Sequence, residues 1–268
     1  MSFTNQSLLG PAARDFQWVG LQNFRTIAGD SDFYDSLKIT GMFVGGSALI
    51  GQFLLGLFLA LYWDPRISGK KGGWVERVIS TFMVTSWVLP PTVFAYCWRA
   101  FLSQGGTLNQ LLCLFGSEPI RFLYELPILS IALINIARGT AWSWLLFSSS
   151  LNTIPTHLFQ SADIDGASGW KKSIHIALPL IKGQLGINAV LITLWTFSVF
   201  DFIYAITGGG PLGKTRLISI YTYEMAFRHF ELGRGAALAL VVLAIDLVAA
   251  VIYLVLARRA TKRGEVGT

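Results

Sequence analysis

Charge is what this sequence has least of. Only 13% of its 268 residues are Asp, Glu, Lys or Arg, 53% are apolar or aromatic, and the mean hydropathy is +0.55. A water-soluble domain carries roughly 25% charged residues. A chain this poor in charge cannot cover its own surface in water. Cysteine is nearly missing as well: Cys97 lies in an apolar run and Cys113 in a connection. Two such residues exclude a disulfide framework and read as ordinary packing residues. The three histidines, His157, His175 and His229, are too scattered for metal-ligand spacing. Met1-Ser2-Phe3-Thr4-Asn5 has neither the charged start nor the apolar core of a secretory signal. The net charge of +6 does not imply nucleic acid, because the basic residues gather at the ends of apolar runs.

Those runs have the right length for a bilayer, whose core takes about 20 apolar residues as helix. Spans are predicted near Ile39–Trp63, uncharged between Lys38 and Asp64, and between Arg77 and Arg99, interrupted by Pro90-Pro91. A third runs from Leu126 to about Phe147 and contains Arg138. A fourth follows Lys182 to about Thr207, with Asp201 near its end, and a fifth covers about Gly235 to Ala257 and contains Asp246. The expectation is an all-α polytopic membrane protein with about five transmembrane helices, a single transmembrane domain over 1–268. Orientation follows from the basic residues. Segments 64–77, 148–182 and 258–268 hold 11 Lys and Arg in 60 positions, and segments 1–38, 99–125 and 208–234 hold 9 in 92. Lys and Arg concentrate on the cytoplasmic side. The run Arg258-Arg259-Ala260-Thr261-Lys262-Arg263 therefore places the C-terminus inside and the N-terminal segment 1–38 outside. An outside segment of that length with no span before it either crosses the membrane by itself or follows a further helix ahead of Met1.

The inner segment 151–182 is unlike a plain connection. It reads Leu151-Asn-Thr-Ile-Pro155, then Gln160-Ser-Ala-Asp-Ile-Asp165-Gly166-Ala167-Ser-Gly-Trp170, then Ile176-Ala-Leu178-Pro179-Leu180. This predicts a short amphipathic helix with Leu158, Phe159 and Ala162 on its apolar face, broken at a glycine. A second helical piece follows, closed by proline. Such a rigid knob suits a surface that transmits force to another protein.

Here the residues match a family. Glu-Ala-Ala, three residues, Gly, nine residues, Ile, one residue, Leu-Pro marks the permeases of binding-protein-dependent ABC importers. Gly166, Ile176, Leu178 and Pro179 stand at that spacing. Asp165-Gly166-Ala167 resembles the form of the maltose-type carbohydrate permeases, whose loop docks into the ATPase subunit. Trp18-Val-Gly20-Leu-Gln-Asn23-Phe24, Gly105-Gly-Thr-Leu-Asn109 and Gly208-Gly209-Gly210-Pro211 with Thr215 look like the family's outer segments. Ser2-Phe3-Thr4 resembles the end of its first helix, so the likeness implies a six-helix type I core lacking that helix. It implies coupling residues Gln160, Ser161, Ala162, Asp165, Gly166, Ala167, Ile176, Leu178 and Pro179. The departure is Gln160-Ser161 where the family has Glu-Ala, which removes a carboxylate from the docking surface. The implied partners are a second, related permease, two ATPase subunits, an extracytoplasmic solute-binding protein and a carbohydrate. No cofactor is implied in this chain, since ATP and Mg belong to the ATPase. The implied location is the cell membrane, and the chain is expected to do no bond chemistry of its own.

One stretch points elsewhere. Gly208-Gly-Gly-Pro-Leu-Gly213-Lys214-Thr215 meets the P-loop pattern letter for letter, and Val242-Leu-Ala-Ile-Asp246 looks like its Walker B companion. A P-loop needs a strand before it, a helix after it and an α/β domain around both. Between two spans, a glycine-proline turn is expected instead.

Ionisable groups at membrane depth are costly and usually face a bundle interior or a wet cavity. Sugars bind by stacking on aromatic faces and by hydrogen bonds from Asn, Asp and Arg. Asn135, Arg138, Trp142, Trp195, Ser198, Asp201 and Tyr204 are therefore candidates for a translocation path; internal ion pairs or a contact with a partner permease are the competing reading. Gly41, Gly45-Gly46, Gly51 and Gly56 suit close helix packing. The alternatives are a secondary transporter, which needs inverted repeats that are not evident here, and a membrane enzyme, for which Arg138, Asp201 and Asp246 alone are too few.

Overall fold

The computed structural model describes residues 1–69 and 73–265. The last three residues of the expected basic tail, and Lys70 and Lys71 of the expected inner segment, lie outside them. Among the described residues there is no strand, only an isolated bridge between Thr4 and Trp18. In chain order the helices are α1 (Gln22–Ala28), α2 (Ser31–Trp63), α3 (Trp74–Val88), α4 (Pro91–Phe101), α5 (Thr107–Leu114) and α6 (Pro127–Asn152). Then come α7 (Thr156–Ile164), α8 (Gly169–Leu180), α9 (Lys182–Phe197), α10 (Asp201–Ile206), α11 (Ile218–Tyr223) and α12 (Leu232–Glu265).

Three of these, α2, α6 and Leu232–Tyr253 of α12, are each long and apolar enough to cross a membrane. Counting the broken pairs α3–α4 and α8–α9 as one span each gives five, the expected number. Proline explains the first break: Pro90 and Pro91 withhold two amide donors, and Pro91 then serves as the first residue of α4. Two boundaries differ from expectation. The first span begins at Ser31, ahead of Lys38, because the Asp30 carboxylate accepts from the Asp32 amide and caps the helix. The fourth stops at Phe197 and does not run on to Thr207. Ser198 turns its hydroxyl to Asp246, the freed Val199 carbonyl accepts from Ser219 Oγ at 2.5 Å, and Asp201 opens a separate helix. Cys97 and Cys113, expected as packing residues, are both exposed.

The chain divides into two compact units. The first comprises Met1–Val44, Pro91–Ile131 and Leu194–Val251. In it the buried Thr40 hydroxyl accepts from the Ile218 amide, and Tyr221 donates to Asp30 at 2.5 Å. Burial first, then that carboxylate, raises the Tyr221 pKa above the ordinary tyrosine value. Arg216 pairs with Asp32 at 2.8 Å, fixing the end of the 207–217 connection.

That connection carries the P-loop letters, and it is a turn. It follows α10, with positive φ at Gly208, Gly209 and Gly213. Thr215, which would hold a metal in a P-loop, is fully buried; its hydroxyl donates to the Gly210 carbonyl at 2.6 Å and lies 2.8 Å from Thr207 Oγ1. Lys214 is exposed. Lys214→Ala is therefore expected to leave ATP-driven uptake within about twofold of the parent, since exposed substitutions cost little. A loss of uptake comparable to that of a true P-loop lysine variant, measured with radiolabelled solute, would reverse this reading.

The second unit comprises Gly45–Pro90, Ala132–Thr193 and Ile252 onward. Here α2 crosses α6 at close range. A Cβ on Gly51 would stand 2.2 Å from Ile136 Cγ1, and one on Gly56 would stand 2.5 Å from Ser143 Cβ and 3.0 Å from the Trp144 amide nitrogen. Gly41, Gly45 and Gly46 of the same expected pattern face open space. Packing thus accounts for the second half of the glycine series and not the first. Two buried amides pin the crossing: Asn135 donates to Ser47 Oγ at 2.7 Å and Asn188 to Ser143 Oγ at 2.9 Å.

Candidate functional site

The 154–181 loop of the second unit is assembled as a compact element. Proline at 155 permits α7 to start, and Gly166 ends it in the left-handed region at φ 69°. The Ala167 amide reaches back to the Ala162 carbonyl at 2.8 Å and the Gly166 amide to Asp163 at 3.1 Å, the bonding of a Schellman motif. Ser168 then caps α8 by accepting from the Lys171 amide. Pro179 lies in the last turn of α8, after which the chain bends by 74° into α9.

Phe159 is the buried side chain of α7; it joins Ile67, Phe147, Leu151, Ile154, Ala177 and Ile181 in one core. Full burial of such a ring contributes about 2 kcal/mol. Leu158, expected beside it, is exposed, and Ala162 is half-buried. Of that expected face Phe159 alone is fully buried, packed with Ile67 of the single helical turn at Pro65–Ser68. Asp64 caps that turn, accepting from the Arg66 amide at 2.9 Å.

Arg66 secures the loop. Its guanidinium pairs with Asp64 at 2.5 Å, donates to the Leu151 carbonyl at 2.9 Å and to Ile154 at 3.1 Å, and lies 5.0 Å over the Phe159 ring. Lys172 does the same from α8: buried at 5% exposure, it donates to the Arg66 carbonyl at 2.8 Å and to Asp163 Oδ1 at 2.7 Å. Neither residue was singled out from sequence, where each reads as one more basic residue near a span end. The local signal for Arg66 is Asp64-Pro65-Arg66, a capped turn with a guanidinium two residues on.

Among the expected coupling residues, Gln160, Ser161, Asp165, Gly166 and Pro179 are exposed, and Ala162, Ala167, Ile176 and Leu178 are half-buried. Two large apolar side chains share that surface: Ile164 is 87% exposed and Trp170 is 74% exposed. Outside a membrane, side chains this apolar and this exposed mark an interaction surface.

The membrane-depth candidates fall into two groups. In the second unit, Asn135 is buried against Ser47, and Trp142 packs against Trp87 at 5.5 Å between centroids on the same helix as Arg138. In the first unit, Trp195 is 51% exposed, and Ser198 donates to Asp246 Oδ2 at 2.8 Å. Asp201 is exposed. Tyr204 stacks on Phe200 at 5.0 Å and meets Tyr223 edge-on, with Arg228 5.8 Å above its ring. Asp246 thus has a partner that sequence alone did not suggest. Among the described residues no group of three or more His, Cys, Asp or Glu could hold a metal ion.

A family model described as "binding-protein-dependent transport system inner membrane component" matches residues 52–262. The chain is 30% identical to the trehalose/maltose transport system permease protein MalF of Thermococcus litoralis, over 90% of this chain and 80% of that one. It is likewise 30% identical to the trehalose transport system permease protein SugA of Mycobacterium tuberculosis, over 99% of this chain and 82% of that one. Among solved structures, a chain of a bacterial ABC transporter involved in import of the acidic polysaccharide alginate superposes with a TM-score of 0.79 at 22% identity. That match covers 90% of this chain and 84% of the other. A chain of the MetNI methionine ABC transporter gives 0.60 at 13% identity, covering 89% and 98%.

Proposed function

Because the chain belongs to the family of binding-protein-dependent transport system inner membrane components, we propose that it is the membrane-spanning permease of an ATP-driven importer that carries a carbohydrate. Membership is shared with relatives named for trehalose and maltose, which supports a sugar or polyol as the solute. The one observation that carries the mechanism is the 154–181 loop, a braced element with Ile164 and Trp170 exposed on it. In this reading a separate ATPase subunit seats α7, and closure of two such subunits on ATP pushes the loop. The spans then rock between outward and inward access. A second permease completes the pathway, and a solute-binding protein delivers the solute on the opposite membrane face. The basic residues of 258–263 put the C-terminus in the cytoplasm with the loop. Within the first unit, Trp195, Ser198, Asp201 and Tyr204 carry the stacking and hydrogen-bonding groups a sugar path uses; within the second, Arg138 and Trp142 do so separately, while Asn135 is engaged by Ser47.

The test is reconstitution in liposomes with the partner subunits. Uptake is expected to require ATP inside and to vanish when the ATPase subunit's P-loop lysine is replaced. Uptake driven by a proton or sodium gradient without ATP would instead establish a secondary transporter.

Gly166 gives a sharper prediction. Its φ of 69° costs another residue about 1 kcal/mol, and nothing lies within 4 Å of an added Cβ. A leucine there points its bulk away from the protein, into the surface a partner would occupy. Gly166→Leu is expected to insert normally yet lose most solute-stimulated uptake, while Gly166→Ala keeps most of it. Equal uptake by parent and leucine variant in the same vesicles would remove the loop from the coupling path.

A further inference from the structure

We propose that the depression beside α4 and α10 of the first unit holds the headgroup of an anionic phospholipid. The depression measures about 420 Å³, within the range of small-molecule sites. Its walls include Leu102, Phe122 and Leu123, and its cationic groups are Arg99 and Arg121. No aspartate or glutamate lines it. Neither guanidinium is in an ion pair among the described residues; Arg99 reaches the Ala205 carbonyl at 3.4 Å, a long bond that leaves its other donors for a ligand. A guanidinium fork matches phosphate oxygens, and two forks on apolar walls match a phosphate that carries acyl chains.

Position selects lipid over an acidic protein partner. Arg99 lies two residues from the end of α4, and Arg121 lies six residues before α6 begins. α6 is an unbroken span, so Arg121 stands close to where it leaves the hydrocarbon, which is where phosphates lie. Arg99, beyond the sharp bend that opens α4, shares that level because it lines the same depression. The neighbouring chain is dressed for the same boundary: Leu114 is 80% exposed, Phe115 85% and Tyr124 60%. Apolar and aromatic side chains beside the end of a span belong to the interfacial belt of a bilayer. The inference rests on the membrane-spanning assignment and not on the transport reading, so failure of either leaves the other to be judged separately.

The test is native mass spectrometry of the full-length chain, purified with its co-purifying subunits and incubated with phosphatidylglycerol or with phosphatidylcholine. Retention of phosphatidylglycerol about tenfold above phosphatidylcholine is expected, as two charge-assisted contacts would give. The R99Q/R121Q variant is expected to lose that preference, and R99K/R121K to keep part of it. Should the variant fold poorly, the preference of the parent protein decides the question alone. Equal retention of the two lipids by the parent overturns the proposal. So does unchanged phosphatidylglycerol retention by R99Q/R121Q together with a lost response to the solute-binding protein in phosphatidylcholine discs, which would assign the arginines to a protein partner.

Discussion

Arg66→Ala is expected to lower ATP-driven uptake about tenfold or more while leaving the chain in the membrane. The guanidinium answers the Asp64 carboxylate, whose side chain is 6% exposed, and donates to the two carbonyls that end α6 and open the loop. Removing it strands a buried charge and two acceptors beneath α7. Breaking a buried pair in this way costs about 3 kcal/mol, which is about a hundredfold in the balance between a seated and an unseated loop. The spans themselves do not depend on Arg66, so membrane content should hold. Arg66→Lys keeps the charge but not the fork, and should fall between the two. Uptake, ATP hydrolysis and membrane content measured together check this. An alanine variant that hydrolyses ATP and transports like the parent would show that the loop needs no brace.

The second large effect concerns packing. Gly56→Leu is expected to abolish monodisperse protein on fluorescence-detected size exclusion. The leucine Cβ would meet Ser143 Cβ at 2.5 Å and Trp144 backbone at 3.0 Å, and backbone cannot swing aside as a side-chain tip can. Overpacking costs typically 1–3 kcal/mol, and a backbone clash falls at or above the top of that range, about 3 kcal/mol. Gly45→Leu is the control. Nothing lies within 4 Å of its Cβ, and a change within about 0.5 kcal/mol is expected. Equal behaviour of the two variants would mean that α2 and α6 do not cross as described.

The spans were legible because composition announces them: a run of helical length with at most one charge inside it has few other uses. The loop was legible from its punctuation, with Pro155, Gly166 and Pro179 each at a break or bend in the structure. What could not be read was whatever depends on partners far apart in sequence. Arg66 meets carbonyls more than 80 positions away, and Asp246 meets Ser198 across 48. Past Lys182 the run to Thr207 carries a single charge, Asp201, so hydropathy joined α9 to α10; the break at 198–200 comes from hydrogen bonds that Ser198 and Val199 make with other elements. The P-loop letters mislead for the same reason. The pattern fixes glycine and threonine positions, but the absent strand and the buried Thr215 hydroxyl decide what they do.

The most direct measurement is a photo-crosslink from position 160. A benzophenone amino acid in place of Gln160, on the exposed face of α7, is illuminated in native membranes, and the product is identified by mass spectrometry. The account predicts one dominant adduct, to a separate ATPase subunit, whose yield changes when ATP is trapped. Adducts only to lipid or to another copy of this chain, with no nucleotide dependence, would contradict it.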